Sequence, residues 1–179
     1  MPSILLLGQH FKASMGVEQN IINLLGIKQG FEQTLNSLNQ IGEQLNERVP
    51  ILIDAINEGA GINLWKDEIL GLIKSVTNYP YLGLVLTVRT TYFNSIADSF
   101  DDKISIINHE GFAGNEYAAL KLFCDAYGLK QPNFPILAPE FTKPLFLILI
   151  CKGIQNSKDK EFPQGFQGIA KIFNYYLSA

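Results

Sequence analysis

Apolar and polar positions follow two rhythms along this chain. Short continuous apolar runs closed by a glycine or a polar residue predict buried strands. They are SILLLG (Ser3 to Gly8), the ILIDAIN stretch around Pro50, Leu82 to Val88, and the shorter KISIIN from Lys103 to Asn108. Between them the apolar spacing changes to three and four, the period of one helical face. Val17, Ile21, Leu24 and Leu25 form one such face; Phe31, Leu35, Leu38 and Leu45 form a second. Leu64, Trp65, Ile69, Leu72 and Val76 form a third, and a short helix is expected from about Asn94. After KISIIN the pattern is helical only: GNEYAALKLFCDAYGL, PEFTKPLFLILICKGI and GFQGIAKIFNYYLS. Gly128 suits a helix C-terminus, where a left-handed residue is needed.

Strands separated by helices predict an α/β fold with a parallel sheet covered on both faces. The change of rhythm divides the chain into an α/β core over 1–112 and a helical subdomain over 113–179.

Composition narrows the class. The chain has 179 residues, 47% hydrophobic and 17% charged, with a net charge of −3. That is enough apolar material for a core, which excludes disorder. With no basic block, no dedicated nucleic-acid site is expected. Cys124 and Cys151 have no short metal-ligand spacing and sit in apolar helical runs, as buried reduced thiols do. The longest apolar run, Leu145 to Cys151, is too short to span a bilayer. No basic flank accompanies the N-terminal apolar run. The expectation is a cytoplasmic protein with no membrane partner.

Parallel α/β sheets present ligand sites at the carboxyl ends of their strands. Asp54, Asn57 and Glu58 follow the second strand, Thr87, Arg89, Thr90 and Thr91 the third, and Asn108, His109 and Glu110 the fourth. An acid there can hold hydrated magnesium. A second acid can orient a water, and an arginine can neutralise a transferring phosphoryl group. Structural roles compete with each. Asp54 could cap the following helix, Glu58 could be a solvated loop acid, and Arg89 could pair with either acid. Trp65 reads as a core anchor, His10 and His109 as turn residues, and the Gly59 and Gly61 pair as turn geometry.

The segment ILIDAINEG resembles the Walker B strand of STAND-class P-loop NTPases, the signal-transducing ATPases that include NACHT domains. LVLTVRTTY is similar to the sensor-1 strand of that family, and FTKPLFLILICKGI to its helical-lid motif. ILLLGQHF, DAINEGAGINLW and HEGF together look closest to the bacterial antiviral members. The resemblance implies a P-loop NTPase core followed by a helical lid, binding ATP and Mg2+. It assigns Asp54 to the metal, Glu58 to the attacking water, Thr87 and Arg89 to sensing of the γ-phosphate, and Pro144 to the adenine side. Asn57 stands where the family has Asp, and Thr142–Lys143 precede Pro144 where it has Asn.

The phosphate cradle is missing from the pattern. A P-loop requires Gly-Lys followed by Ser or Thr, and the chain contains no Gly-Lys dipeptide. The sequence therefore reads as a piece of such a core cut just after the P-loop helix, or as a degenerate relative, with the missing P-loop-bearing segment or another chain as the expected partner and a homo-oligomer as the expected assembly. In the family the P-loop strand lies between the sensor-1 strand and the last strand. Its loss predicts that KISIIN is displaced, poorly paired or closed directly on LGLVLTV. The alternative function is a nucleotide-free interaction or oligomerisation module. No Gly-x-Gly-x-x-Gly follows the first strand, which argues against a dinucleotide fold.

Overall fold

The computed structural model describes residues 2–59, 62–97, 100, 104–132, 139–156 and 161–162. The chain divides into two compact units, Met1–Ser105 and Ile106–Ala179.

The first unit is α/β. Strand β1 (Ile4–Leu7) runs through a short 3-10 turn (Gly8–His10) to helices α1 (Val17–Leu25) and α2 (Phe31–Leu45). Strand β2 (Val49–Asp54), helix α3 (Ile62–Thr77), strand β3 (Leu82–Leu86) and helix α4 (Thr90–Ala97) follow. The three strands form a parallel sheet in the order β1-β2-β3. The register pairs Leu5 with Leu52 and Leu52 with Val85.

Both crossovers step across the sheet in the same direction. A right-handed connection then places the intervening helices on one face. The packing follows that rule: Leu6, Val49, Ile51, Ile53 and Leu82 share a core with Val17, Ile21, Leu35, Trp65, Ile69, Leu72 and Val76. The opposite face shows Leu5, Leu52 and Val85 in a row; Leu5 is 65% exposed and Val85 46%. The expectation of a sheet covered on both faces is thus corrected. A continuous apolar run announces burial, but the order of the strands decides which faces receive helices. Leu24 and Leu45, expected on covered helix faces, are exposed, lying at the last turns of short helices.

The fourth strand is a second correction. Residues 104–108 pair with no strand among those described, and Ile106 and Ile107 are 62% and 89% exposed. Lys103 lies outside the described residues. An apolar hexapeptide becomes a strand only where a neighbouring edge accepts its hydrogen bonds. Of the three outcomes expected for KISIIN, closure directly on LGLVLTV is absent among the described residues.

Loop 12–16 is closed by Asn20, which is buried within α1. Its Oδ1 accepts from the Lys12 amide (2.8 Å), and its Nδ2 lies 3.0 Å from the carbonyl oxygens of Lys12, Met15 and Gly16. The first amide of α1, on Val17, has no acceptor within the helix and donates to Glu68 Oε2 of α3 (2.6 Å). One orphan donor of the helix end is thereby satisfied from another element.

The second unit is helical over its described residues. Helix α5 (Glu116–Tyr127) packs on α6 (Pro144–Gln155), which follows a 3-10 turn (Pro139–Thr142). Gly128 ends α5 in the left-handed conformation (φ 64°). Cys124 and Cys151 are free, buried thiols in this core. The helix expected over GFQGIAKIFNYYLS lies outside the described residues.

Candidate functional site

The site is built where the three strands of the first unit end. After Asp54 the chain leaves the ladder at Ala55, a non-glycine residue at φ 55°. This kink shifts the pairing by one residue. The Ile56 amide, not that of Ala55, donates to the Thr87 carbonyl (2.9 Å), while Thr87 N–H still reaches Ile53 O (3.1 Å). The displaced Ala55 amide donates instead to Thr87 Oγ1 (2.8 Å). The Thr87 hydroxyl, so held, donates to Asp54 Oδ1 (2.5 Å). The result is a relay from backbone to hydroxyl to carboxylate that fixes Asp54 at the strand exit.

The same loop is locked from the β1 side. A Cβ on Gly8 would stand 2.7 Å from the Ala55 carbonyl carbon and 3.0 Å from Ile56 Cα, so only glycine allows this approach. Gly59 is left-handed (φ 69°), and a Cβ there would meet Gly8 O at 2.7 Å. The turn role expected of Gly59 is therefore met, while Gly61 lies outside the described residues.

Asn57 accepts the Arg89 amide on its Oδ1 (3.0 Å). Arg89 Nη2 lies 3.4 Å from Glu58 Oε1, with side chains 69% and 38% exposed. The structural pairing expected for Arg89 thus goes to Glu58, not to Asp54. The Arg89 carbonyl accepts from Tyr92 and Phe93 at the start of α4. Asp54, Glu58, Thr87 and Arg89 are therefore one constellation, joined across two adjacent strand exits. Asn57, which the sequence flagged only as a departure from a motif, is the tether between them.

Pro144 belongs to the second unit, half-buried at the first position of α6. It is framed by the 111–114 turn, where the Phe112 amide donates to Thr142 O (2.7 Å) and left-handed Gly111 stands against Thr142 and Pro144. His109 Nδ1 accepts from the Gly111 amide (3.2 Å), a turn histidine satisfied by backbone. Trp65 is a buried anchor in tilted contact with Phe11, centroids 5.0 Å apart.

The acids present fit a metal in one way only. Among the described residues there is no group of three or more His, Cys, Asp or Glu that could cage an ion. Thr87 occupies one oxygen of Asp54, and the exposed side chain leaves the other facing solvent. That donor set suits hydrated magnesium, which takes one or two carboxylates and draws its remaining ligands from water and phosphate. A cavity of about 730 Å³ lies elsewhere, between α1, the turn at 27–30 and α3, and no strand-exit residue lines it.

No family model, no curated protein and no solved structure matches the chain. Among the described residues, no helix is long and apolar enough to cross a membrane.

Proposed function

We propose that the strand-exit constellation is the magnesium-and-water side of a nucleoside triphosphate site, in a core of the STAND type that works with a phosphate cradle supplied by another segment or chain. The observation that carries this reading is that two acids and an arginine meet at adjacent strand exits: Asp54 held by Thr87, and Glu58 beside Arg89. Magnesium, bound with ATP, would supply charge neutralisation at the β- and γ-phosphates. Asp54 would hold its hydration shell, Glu58 would orient the attacking water, and Arg89 would turn from Glu58 to the γ-phosphate. Binding and slow hydrolysis would switch assembly of a signalling or defence protein.

A second reading, a nucleotide-free interaction module, is favoured by one specific fact: the sequence has no Gly-Lys pair to build the cradle. Isothermal titration of the chain with Mg·ATP separates the two. The partial-core reading expects no measurable heat from the chain alone and binding once a cradle-bearing segment is added. Micromolar affinity without such a segment would overturn the need for one. Absence of binding in its presence would leave the interaction module.

A further inference from the structure

We infer that Asn57 binds an oxyanion: its side-chain amide donates to the terminal phosphoryl group of the nucleotide, a bond that an ionised aspartate at this position could not make. The inference deepens the reading above and rests on it for the identity of the anion.

The orientation of the amide is set by its partner. The Arg89 backbone N–H can only donate, so the end of Asn57 that faces it, at 3.0 Å, is Oδ1. Flipping the group would set two donors against each other. Nδ2 therefore turns away from the Arg89 amide, and it meets no acceptor among the described residues. Among those residues the buried side-chain nitrogen or oxygen left without a partner is Trp65 Nε1, so Nδ2 stands open to solvent at the strand exits.

The donor is held in place before any ligand arrives. The amides on either side of Asn57, on Ile56 and Glu58, donate to Thr87 O and Ala55 O, both at 2.9 Å. Gly8 and Gly59 close on the same loop from the β1 side. The Arg89 N–H that Oδ1 accepts also polarises the side-chain amide and strengthens Nδ2 as a donor. A donor so fixed pays no reorganisation when an anion binds.

Charge selects the acceptor. At these exits Asp54 and Glu58 stand against one guanidinium, that of Arg89. A carboxylate at 57 would accept the Arg89 amide equally well, so the tether alone does not call for asparagine. It would also add a third negative charge that repels an arriving phosphate. The amide keeps the tether, adds no charge and offers two N–H groups. Bonds from such groups to an ionised acceptor are the stronger kind. The motif that ILIDAINEG resembles has an acid here, so the donor is a property of this chain and not of the motif.

The test observes the side chain itself. Nitrogen–proton correlation spectra of the chain follow the Asn57 Nδ2 and Arg89 Nε protons, with inorganic phosphate and Mg2+ at pH 7 as the probe. Both signals are expected to shift along one titration curve. Asn57→Asp keeps the acceptor, so the Arg89 amide stays protected from hydrogen exchange, while phosphate binding read at Arg89 Nε weakens at least about tenfold. Asn57→Ala should lose both the protection and the binding. A shift at Arg89 with none at Asn57 Nδ2, or an Asn57→Asp protein that binds phosphate as the parent does, overturns the inference and leaves the nucleotide reading standing. A shift at neither group also overturns it. Shifts at both, with no Mg·ATP binding once a cradle-bearing segment is added, would refute the nucleotide reading and leave Asn57 as a donor to free phosphate.

Discussion

Gly8→Ala is the sharpest probe of how the site is held. The substitution adds one methyl group at the point where the exits of β1 and β2 touch. That methyl would lie 2.7 Å from the Ala55 carbonyl carbon and 3.0 Å from Ile56 Cα, and both neighbours are backbone. Neither can move alone, because the Ile56 and Ala55 amides are bonded to Thr87 and the Glu58 amide to Ala55 O. Overpacking of this kind costs about 1–3 kcal/mol. Each backbone hydrogen bond broken in the adjustment adds about 1 kcal/mol. Against this, Gly8 is not left-handed, so alanine restricts the unfolded chain and returns about 0.4–1 kcal/mol. Steric cost wins, and a net loss of roughly 2–3 kcal/mol is expected. Urea unfolding followed by fluorescence measures it in the right unit, since Trp65 is the chain's single tryptophan and lies in that core. Ala55→Gly in the same background lets the 55–56 peptide rotate and should recover at least about 1 kcal/mol, a coupling that independent sites would not show. A Gly8→Ala protein within about 0.5 kcal/mol of the parent, or strict additivity with Ala55→Gly, would refute the lock.

Two further outcomes follow from buried groups. Asn20→Ala strands the Lys12 amide and removes the bonds to three carbonyl oxygens that Asn20 closes; a loss of about 2–4 kcal/mol is expected in the same urea assay, with rapid proteolysis at loop 12–16. Burial pushes the Cys124 thiol up to about 11 and the Cys151 thiol up to about 12, from an ordinary 9.0, with Asp125 adding to the first and Cys124 to the second. Since the folded values are raised, their stabilisation is fully present below about pH 9 and is lost as pH rises toward 11 and 12. Ellman's reagent at pH 8 should therefore react with neither thiol in the native protein and with both in denaturant.

The sequence carried most of the elements because apolar periodicity is local. The three observed strands fall on continuous apolar runs, and the faces of α1, α2 and α3 fall where spacing of three and four puts them, save Leu24 and Leu45. What it did not carry depends on neighbours. SILLLG looks the same whether one or both of its sides are covered, and only the order β1-β2-β3 exposes Leu5. KISIIN has the composition of a strand and, among the described residues, no partner to make it one. Within the site, Asp54, Glu58, Thr87 and Arg89 were legible as residue types at strand ends. The bond from Arg89 to Asn57, and the contact of Gly8 with Ala55, join segments about thirty and about fifty residues apart, and no local pattern encodes them. Asn20 did leave a signal: it is a polar residue on the stripe of Val17, Ile21 and Leu24, where a buried amide needs partners of its own.

The two acids of the site differ in how much it costs to move them, and that difference bears on what the site can do. Glu58 and Arg89 meet through one 3.4 Å contact in the open. An exposed pair of this kind is worth about 0–1 kcal/mol, so an arriving polyanion displaces Glu58 from Arg89 at little expense. Asp54 is held otherwise. Its partner Thr87 is bonded to the Ala55 amide through the hydroxyl and to Ile53 and Ile56 through its backbone, so the hydroxyl that holds the carboxylate is itself fixed to the ladder between β2 and β3. A rigid acid beside a loosely paired arginine and glutamate is what phosphoryl transfer asks of this side of a site. In the nucleotide reading proposed above, the position of Asp54 would have to stay fixed between turnovers, while Arg89 and Glu58 would have to separate when phosphate binds.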